Sequence, residues 1–220
     1  MESSEPDRPS LLHMITQPIK QLERVKQQPV FGQALVTVII FYLLGNWLST
    51  LGTEIQVVEE IEGIPEEVVI IIMTVTTFLS ALLQPILSVI ILSFIYFLCA
   101  KVMKRHIAFQ QLISLNTHVF VISALGVVIN GILIAIFGGD IEQSKHMYTS
   151  MGALVHTEGM GSILLGNIEL FLIWQTIVSA IGLHIVVGFS KRTSWVVAIG
   201  VYVLNISVTL LWHYVTQLLN

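Results

Sequence analysis

Five long apolar stretches leave this chain almost no room for a water-soluble fold. They run over Ala34–Leu51, Val68–Ala100, Leu112–Phe137, Ile163–Phe189 and Trp195–Leu218. Each reaches the roughly 17–25 residues that a helix needs to cross the hydrocarbon core of a bilayer. The second, at 33 residues, exceeds one straight span. A tilt, a protrusion or a bend at Pro85 would absorb the excess. Only 11% of the 220 residues are charged, against about 25% in a soluble domain. What remains outside the stretches is too small for a second folded unit. The expectation is an all-α polytopic membrane bundle with five transmembrane helices. Residues 1–30 form an amphipathic N-terminal segment and residues 31–220 form the membrane domain.

The cations set an orientation. Arg8, Lys20, Arg24 and Lys26 precede the first stretch. Lys101, Lys104 and Arg105 separate the second from the third, and Lys191 and Arg192 separate the fourth from the fifth. Only Lys145 lies elsewhere, between the third and fourth, so nine of the ten Lys and Arg residues share one side. Positive-inside insertion then places the N-terminus in the cytoplasm and the C-terminus outside. The outer gaps are acidic, with Glu54, Glu59, Glu60, Glu62, Glu66 and Glu67 in the first. Six glutamates there could attract cations or a basic partner, but topology alone accounts for them. The few cations are used by topology, so nucleic-acid binding has no support. Cys99 is the single cysteine, which excludes an internal disulfide and a cysteine zinc site. No cleavable signal sequence is expected, and the first span serves as its own insertion signal.

Residues 1–9 read as disordered. Leu11, Leu12, Ile15, Ile19, Leu22 and Val25 then recur at helical spacing beside Lys20, Arg24 and Lys26. This predicts a helix over Leu11–Gln28 lying at the cytoplasmic headgroup level. The alternative is a solvated helix packing on the bundle. Pro18 breaks it or opens a second helix, and Pro29 ends it. Lys20, Arg24 and Lys26 are the candidates for lipid headgroup contact. Gly63–Ile64–Pro65 reads as a turn before an acidic first helical turn. Gly138 and Gly139 close the third span. The outer loop after it holds His146, Met147, Met151, His156, Glu158 and Met160, side chains that suit copper. It lacks a Met-x-x-Met array or a close His pair, so no metal is expected; a short re-entrant or interfacial helix fits it better.

Polar residues inside the spans line up at helical spacing. Thr74, Thr77, Ala81, Gln84 and Ser88 do so in the second span. Asn116, Ser123 and Asn130 do so in the third, and Ala198, Tyr202, Asn205, Thr209, Trp212 and Thr216 in the fifth. Such stripes join helices in lipid, where apolar contact alone gives little drive. The other reading is a central polar cavity lined by Gln84, Asn116, Asn130 and Glu169. Glu169 is the only acid inside an expected span, and buried ionisable groups are costly there. Its position two turns from the outer end weakens that argument. His118, His184 and His213 read as packing residues. There is no HExxH helix, GxSxG elbow or P-loop, and Asp7 and Asp140, the only aspartates, lie outside the spans. No cofactor and no reaction are expected.

The whole pattern resembles the Yip1 family of five-span membrane proteins, in particular its bacterial members. Ile15–Leu35 (ITQPIKQLERVKQQPVFGQAL) is similar to the family's proline-bounded, basic-amphipathic opening segment. Lys101–His118 (KVMKRHIAFQQLISLNTH) resembles its second cytoplasmic connection. Ile173–Ile199 (IWQTIVSAIGLHIVVGFSKRTSWVVAI) resembles its fourth span, where a Trp opens a helix leading through a Gly to a short basic link. The Asp-Leu-Tyr-Gly-Pro element of eukaryotic trafficking members has no counterpart. The resemblance implies a non-enzymatic integral protein of the bacterial cytoplasmic membrane. It would assist another membrane protein, such as an ABC-type exporter or an envelope-defence system, or associate with itself. A small transporter or lipid-handling protein is the alternative.

Overall fold

The computed structural model describes residues 8–53, 65–139, 147–155 and 159–219. The acidic residues Glu54, Glu59, Glu60 and Glu62, most of the Gly63–Ile64–Pro65 turn, and Asp140, Lys145, His146, His156 and Glu158 lie outside them, as does most of the N-terminal stretch read as disordered. Among the described residues the chain is helical. Helices α1 (Leu11–Thr16) and α2 (Pro18–Gln27) precede α3 (Gly32–Gly52), α4 (Glu66–Val102) and α5 (Phe109–Phe137). A short 3₁₀ turn (Met151–Ala153) leads to α6 (Gly159–Asn167), α7 (Leu170–Gly182) and α8 (Lys191–Leu219). A π turn (Leu183–Val187) extends α7. Five helices, counting α7 with its π turn, are long and apolar enough to cross a membrane.

Local chemistry sets the helix limits. Pro18 is the first residue of α2, where its missing N–H costs nothing. Pro65 caps α4. Gly138, at φ +83°, ends α5, its N–H donating to Ile134 O. The end of α4 is a Schellman motif built on a lysine. Lys104 takes the left-handed conformation at φ +54°, its N–H donates to Lys101 O, and Arg105 N–H donates to Ala100 O. The cations crowded there also suit the negative end of the helix dipole.

One expected span does not exist as a single helix. Over Ile163–Phe189 the helix stops at Asn167, and Glu169 takes extended backbone angles before α7 begins. Apolar residues run through the break, so composition hides it. Gly166 and Asn167 are poor helix formers, and the Glu169 carboxylate caps the new helix by accepting from Leu172 N–H. The described part of the outer loop holds only the 3₁₀ turn Met151–Ala153 and the first residues of α6, most of which occupies the start of the apolar stretch.

The centre of the bundle is a close crossing of α3 and α5. A Cβ on Gly52 would collide with the backbone of Ile134 and Ala135, and one on Gly131 would strike the carbonyl of Gly45. Gly139 N–H donates to Gly52 O at 2.9 Å. Small residues let the two backbones approach, as helix pairing in lipid requires.

Helices α1 and α2 turn part of their apolar face to the bundle, while Leu12 and Ile19 stay exposed. Met14, Leu22 and Val25 are fully buried and join a core with Tyr96, Leu112, Leu115, Val178 and Leu183. Gln21, also buried, accepts from Ser10 N–H at 2.8 Å. The link to α3 is pinned by Ser114 Oγ donating to Val30 O and Gln110 Nε2 donating to Pro29 O. The first two helices, the end of α4, the start of α5 and the start of α8 therefore meet at one end, here termed the basic end.

Candidate functional site

A network of buried side chains drawn from three separate segments of the chain lies at the opposite end. Residues 147–155 run back against the start of α7. Leu170 N–H donates to Thr149 O, and Met151 N–H donates to Ile168 O at 2.9 Å. These two bonds form one antiparallel bridge between Ser150 and Glu169. Extended backbone among membrane helices must be buried in protein with its polar groups paired, and this bridge pairs them.

Three side chains fasten it. Thr149 Oγ1 donates to Glu169 Oε1 at 2.6 Å and accepts from Asn130 Nδ2 at 2.8 Å. Asn130 Oδ1 accepts from Thr149 N–H at 3.1 Å, and Asn130 Nδ2 also reaches Gly126 O on its own helix. Glu169 Oε2 takes the Leu172 N–H at 2.7 Å. A carboxylate at a helix start also faces the positive end of the dipole. Glu169 and Asn130 are 6% and 3% exposed, so each bond replaces one that water cannot make. Tyr202 Oη donates to Asn167 O and ties α8 to the same break. Ser150 Oγ is buried beside this knot and has no partner among the described residues.

The expected site residues are therefore divided. The structure brings Asn130 and Glu169 together through Thr149, a residue with no signature in the sequence. Asn116 sits fourteen residues earlier on α5, about 21 Å along the axis, where its Nδ2 donates to Ser93 Oγ of α4 at 2.8 Å. Gln84 is exposed on α4. The four do not line one cavity. The outer part of the polar stripe on α8 also faces away from the bundle, with Asn205, Thr209 and Trp212 exposed. Lys20 and Lys26 are exposed on α2, while Arg24 is half-buried and reaches Gln21 Oε1 and Arg8 O. His118 is buried, with Nδ1 donating to Ser114 O, as suits a packing residue. Among the described residues no three His, Cys, Asp or Glu side chains cluster as a metal site.

What the knot can do chemically is fasten. Both Glu169 oxygens are engaged, and the Thr149 hydroxyl is already hydrogen-bonded on both sides. The arrangement fixes residues 147–155 against the start of α7 rather than presenting a reactive atom.

A bundle of five apolar helices, preceded by a packed amphipathic pair, defines the class as a polytopic membrane protein. The Yip1 domain description matches residues 12–213, nearly the whole bundle, and the chain belongs to the Yip1 family. It is similar to the membrane protein YknW of Bacillus subtilis (strain 168), at 32% identity over 199 residues, 88% of this chain and 85% of that protein. No solved structure matches it.

Proposed function

We propose that this protein is a non-enzymatic accessory or scaffold of the bacterial cytoplasmic membrane. Its N-terminus lies inside and its C-terminus outside. It binds another integral membrane protein, of the kind found in an ABC-type exporter or an envelope-defence system, and it touches lipid headgroups through Lys20, Arg24 and Lys26.

One observation carries this reading. Gln84 lies near the middle of α4 and Asn205 near the middle of α8, and both are exposed. Neither amide makes a hydrogen bond among the described residues. Apolar side chains surround them, including Leu83 and Leu87 on α4 and Leu204 and Val208 on α8. An amide facing lipid tails without a partner is unfavourable, and a polar group on a neighbouring helix removes that cost. A partner helix is therefore the natural cover for these two faces. The alternative of a small transporter or lipid-handling protein draws less support, because Gln84, Asn116, Asn130 and Glu169 share no cavity.

Co-purification in mild detergent tests the proposal. The wild-type chain should bring down a second membrane protein, and the Gln84→Leu, Asn205→Leu double variant should lose it. Recovery of the chain alone, or of the same partner with both amides removed, overturns the proposal. Recovery only as a homo-oligomer replaces the partner with a second copy.

A further inference from the structure

Two open clefts flank α2 at the basic end, and they share one residue. The first has a volume of about 650 Å³ and is lined by Glu23, Lys26, Gln27, His184 and Ile185. The second, about 440 Å³, includes Pro18, Ile19, Lys20, Glu23, Trp174 and Ile181 in its lining.

Their chemistry differs in a way that suits one kind of ligand. Lys20, Glu23 and Lys26 follow at steps of three, so one face of α2 carries a cation, an anion and a cation in turn. All three side chains are exposed. His184 joins the first cleft from the π turn, an irregularity that frequently marks functional positions. Its Nδ1 donates to Phe189 O at 2.7 Å, which leaves Nε2 as an acceptor for an N–H of a ligand. The second cleft is mostly apolar. Trp174 and Ile181 lie seven residues apart on α7 and give it a wall that runs along the bundle.

We propose that these clefts together hold one phospholipid with a zwitterionic, primary-amine headgroup. Lys26 and Lys20 receive the phosphate, and His184 Nε2 accepts from the ammonium. Glu23 receives the ammonium, which presents N–H donors to its carboxylate. An acyl chain lies against Trp174 and Ile181. A headgroup with phosphate and no amine would set its charge against Glu23. The proposal takes further the headgroup contact of α2 proposed above and does not depend on a protein partner.

Reconstituted full-length chain provides the test. Nanodiscs of phosphatidylcholine would carry a small fraction of phosphatidylethanolamine or phosphatidylglycerol with brominated acyl chains. The quenching lost in Trp174→Phe isolates the signal of that residue. Brominated phosphatidylethanolamine should quench Trp174 with an apparent affinity about fivefold higher than phosphatidylglycerol, the discrimination that one ion pair supports. Glu23→Gln should abolish that preference, and Lys26→Gln should weaken both lipids. Glycerophosphoethanolamine, the same headgroup without chains, should compete poorly. Equal quenching by both lipids, or a preference that survives Glu23→Gln, overturns the aminophospholipid. If that equal quenching still falls in Lys26→Gln, unselective headgroup contact stands while the proposal fails. Full competition by glycerophosphoethanolamine overturns the acyl-chain part and assigns the site to a soluble phosphoester.

Discussion

The two ends of the bundle solve the same problem by opposite means. Each must tie non-spanning chain to spanning helices. At the basic end the tie is apolar: Met14, Leu22 and Val25 are inserted into the core, and the helix ends close on themselves. At the other end it is polar: Asn130, Thr149 and Glu169 hold the segment around Ser150 against the start of α7. The difference follows from backbone conformation. Helices α1 and α2 satisfy their own amides and can offer side chains alone. The segment around Thr149 and Ser150 brings unsatisfied amides, and only hydrogen bonds can settle them.

That contrast can be broken by mutation. Leu22→Ala should have the largest effect, about 2–5 kcal/mol for a buried leucine, read as a fall in detergent melting temperature. Hydrogen exchange should rise in α1 and α2 and stay unchanged around Thr149. A rise at both ends would mean that the two ties are one unit. Gly131→Val should cost about 1–3 kcal/mol by forcing α3 from α5; unchanged melting would refute the close crossing. Asn130→Ala leaves Thr149 without its amide partner and should cost about 1–3 kcal/mol, with protease cleavage in residues 147–155 as the readout. Glu169→Gln keeps one acceptor oxygen for either Thr149 or Leu172 and should cost less, about 1 kcal/mol. A Gln variant as damaging as Glu169→Ala would show that charge matters at this position. Lys26→Gln should change melting within about 0.5 kcal/mol, since its side chain is exposed; a larger fall would place Lys26 in the structural tie.

What could be read from the residues alone follows the same divide. Length and apolarity locate α3, α4, α5 and α8, because crossing a bilayer imposes a minimum on each. Pro18 marks the start of α2 and Gly138 the end of α5 through local stereochemistry. The break before Glu169 escapes this reading, since Ile168 and Leu170 on either side are as apolar as the helix interior; the Gly166–Asn167 pair was its one signal. Asn130, Thr149 and Glu169 are 19 and 20 residues apart in sequence, and nothing local announces that they meet. Periodicity shows that Leu22 and Val25 share a face. It cannot tell a lipid surface from a protein core, because both accept the same side chains. The same ambiguity makes the Gln84 stripe read as inward-facing when Gln84 itself is exposed.

The glycine crossing of α3 and α5 has a mechanical consequence. Two backbones in direct contact leave no layer of side chains to slide, so the pair moves as a single stiff strut. By contrast, α8 joins the bundle through a three-residue link, Gly188 to Ser190, whose glycine sits at φ +78°. Farther along, the Tyr202 hydroxyl on Asn167 holds it. Val197 and Ala198 pack the first turns of α8 into the core, so under load the strut keeps its length and α8 yields from its exposed far end, with the tyrosine bond as the last hold before the core.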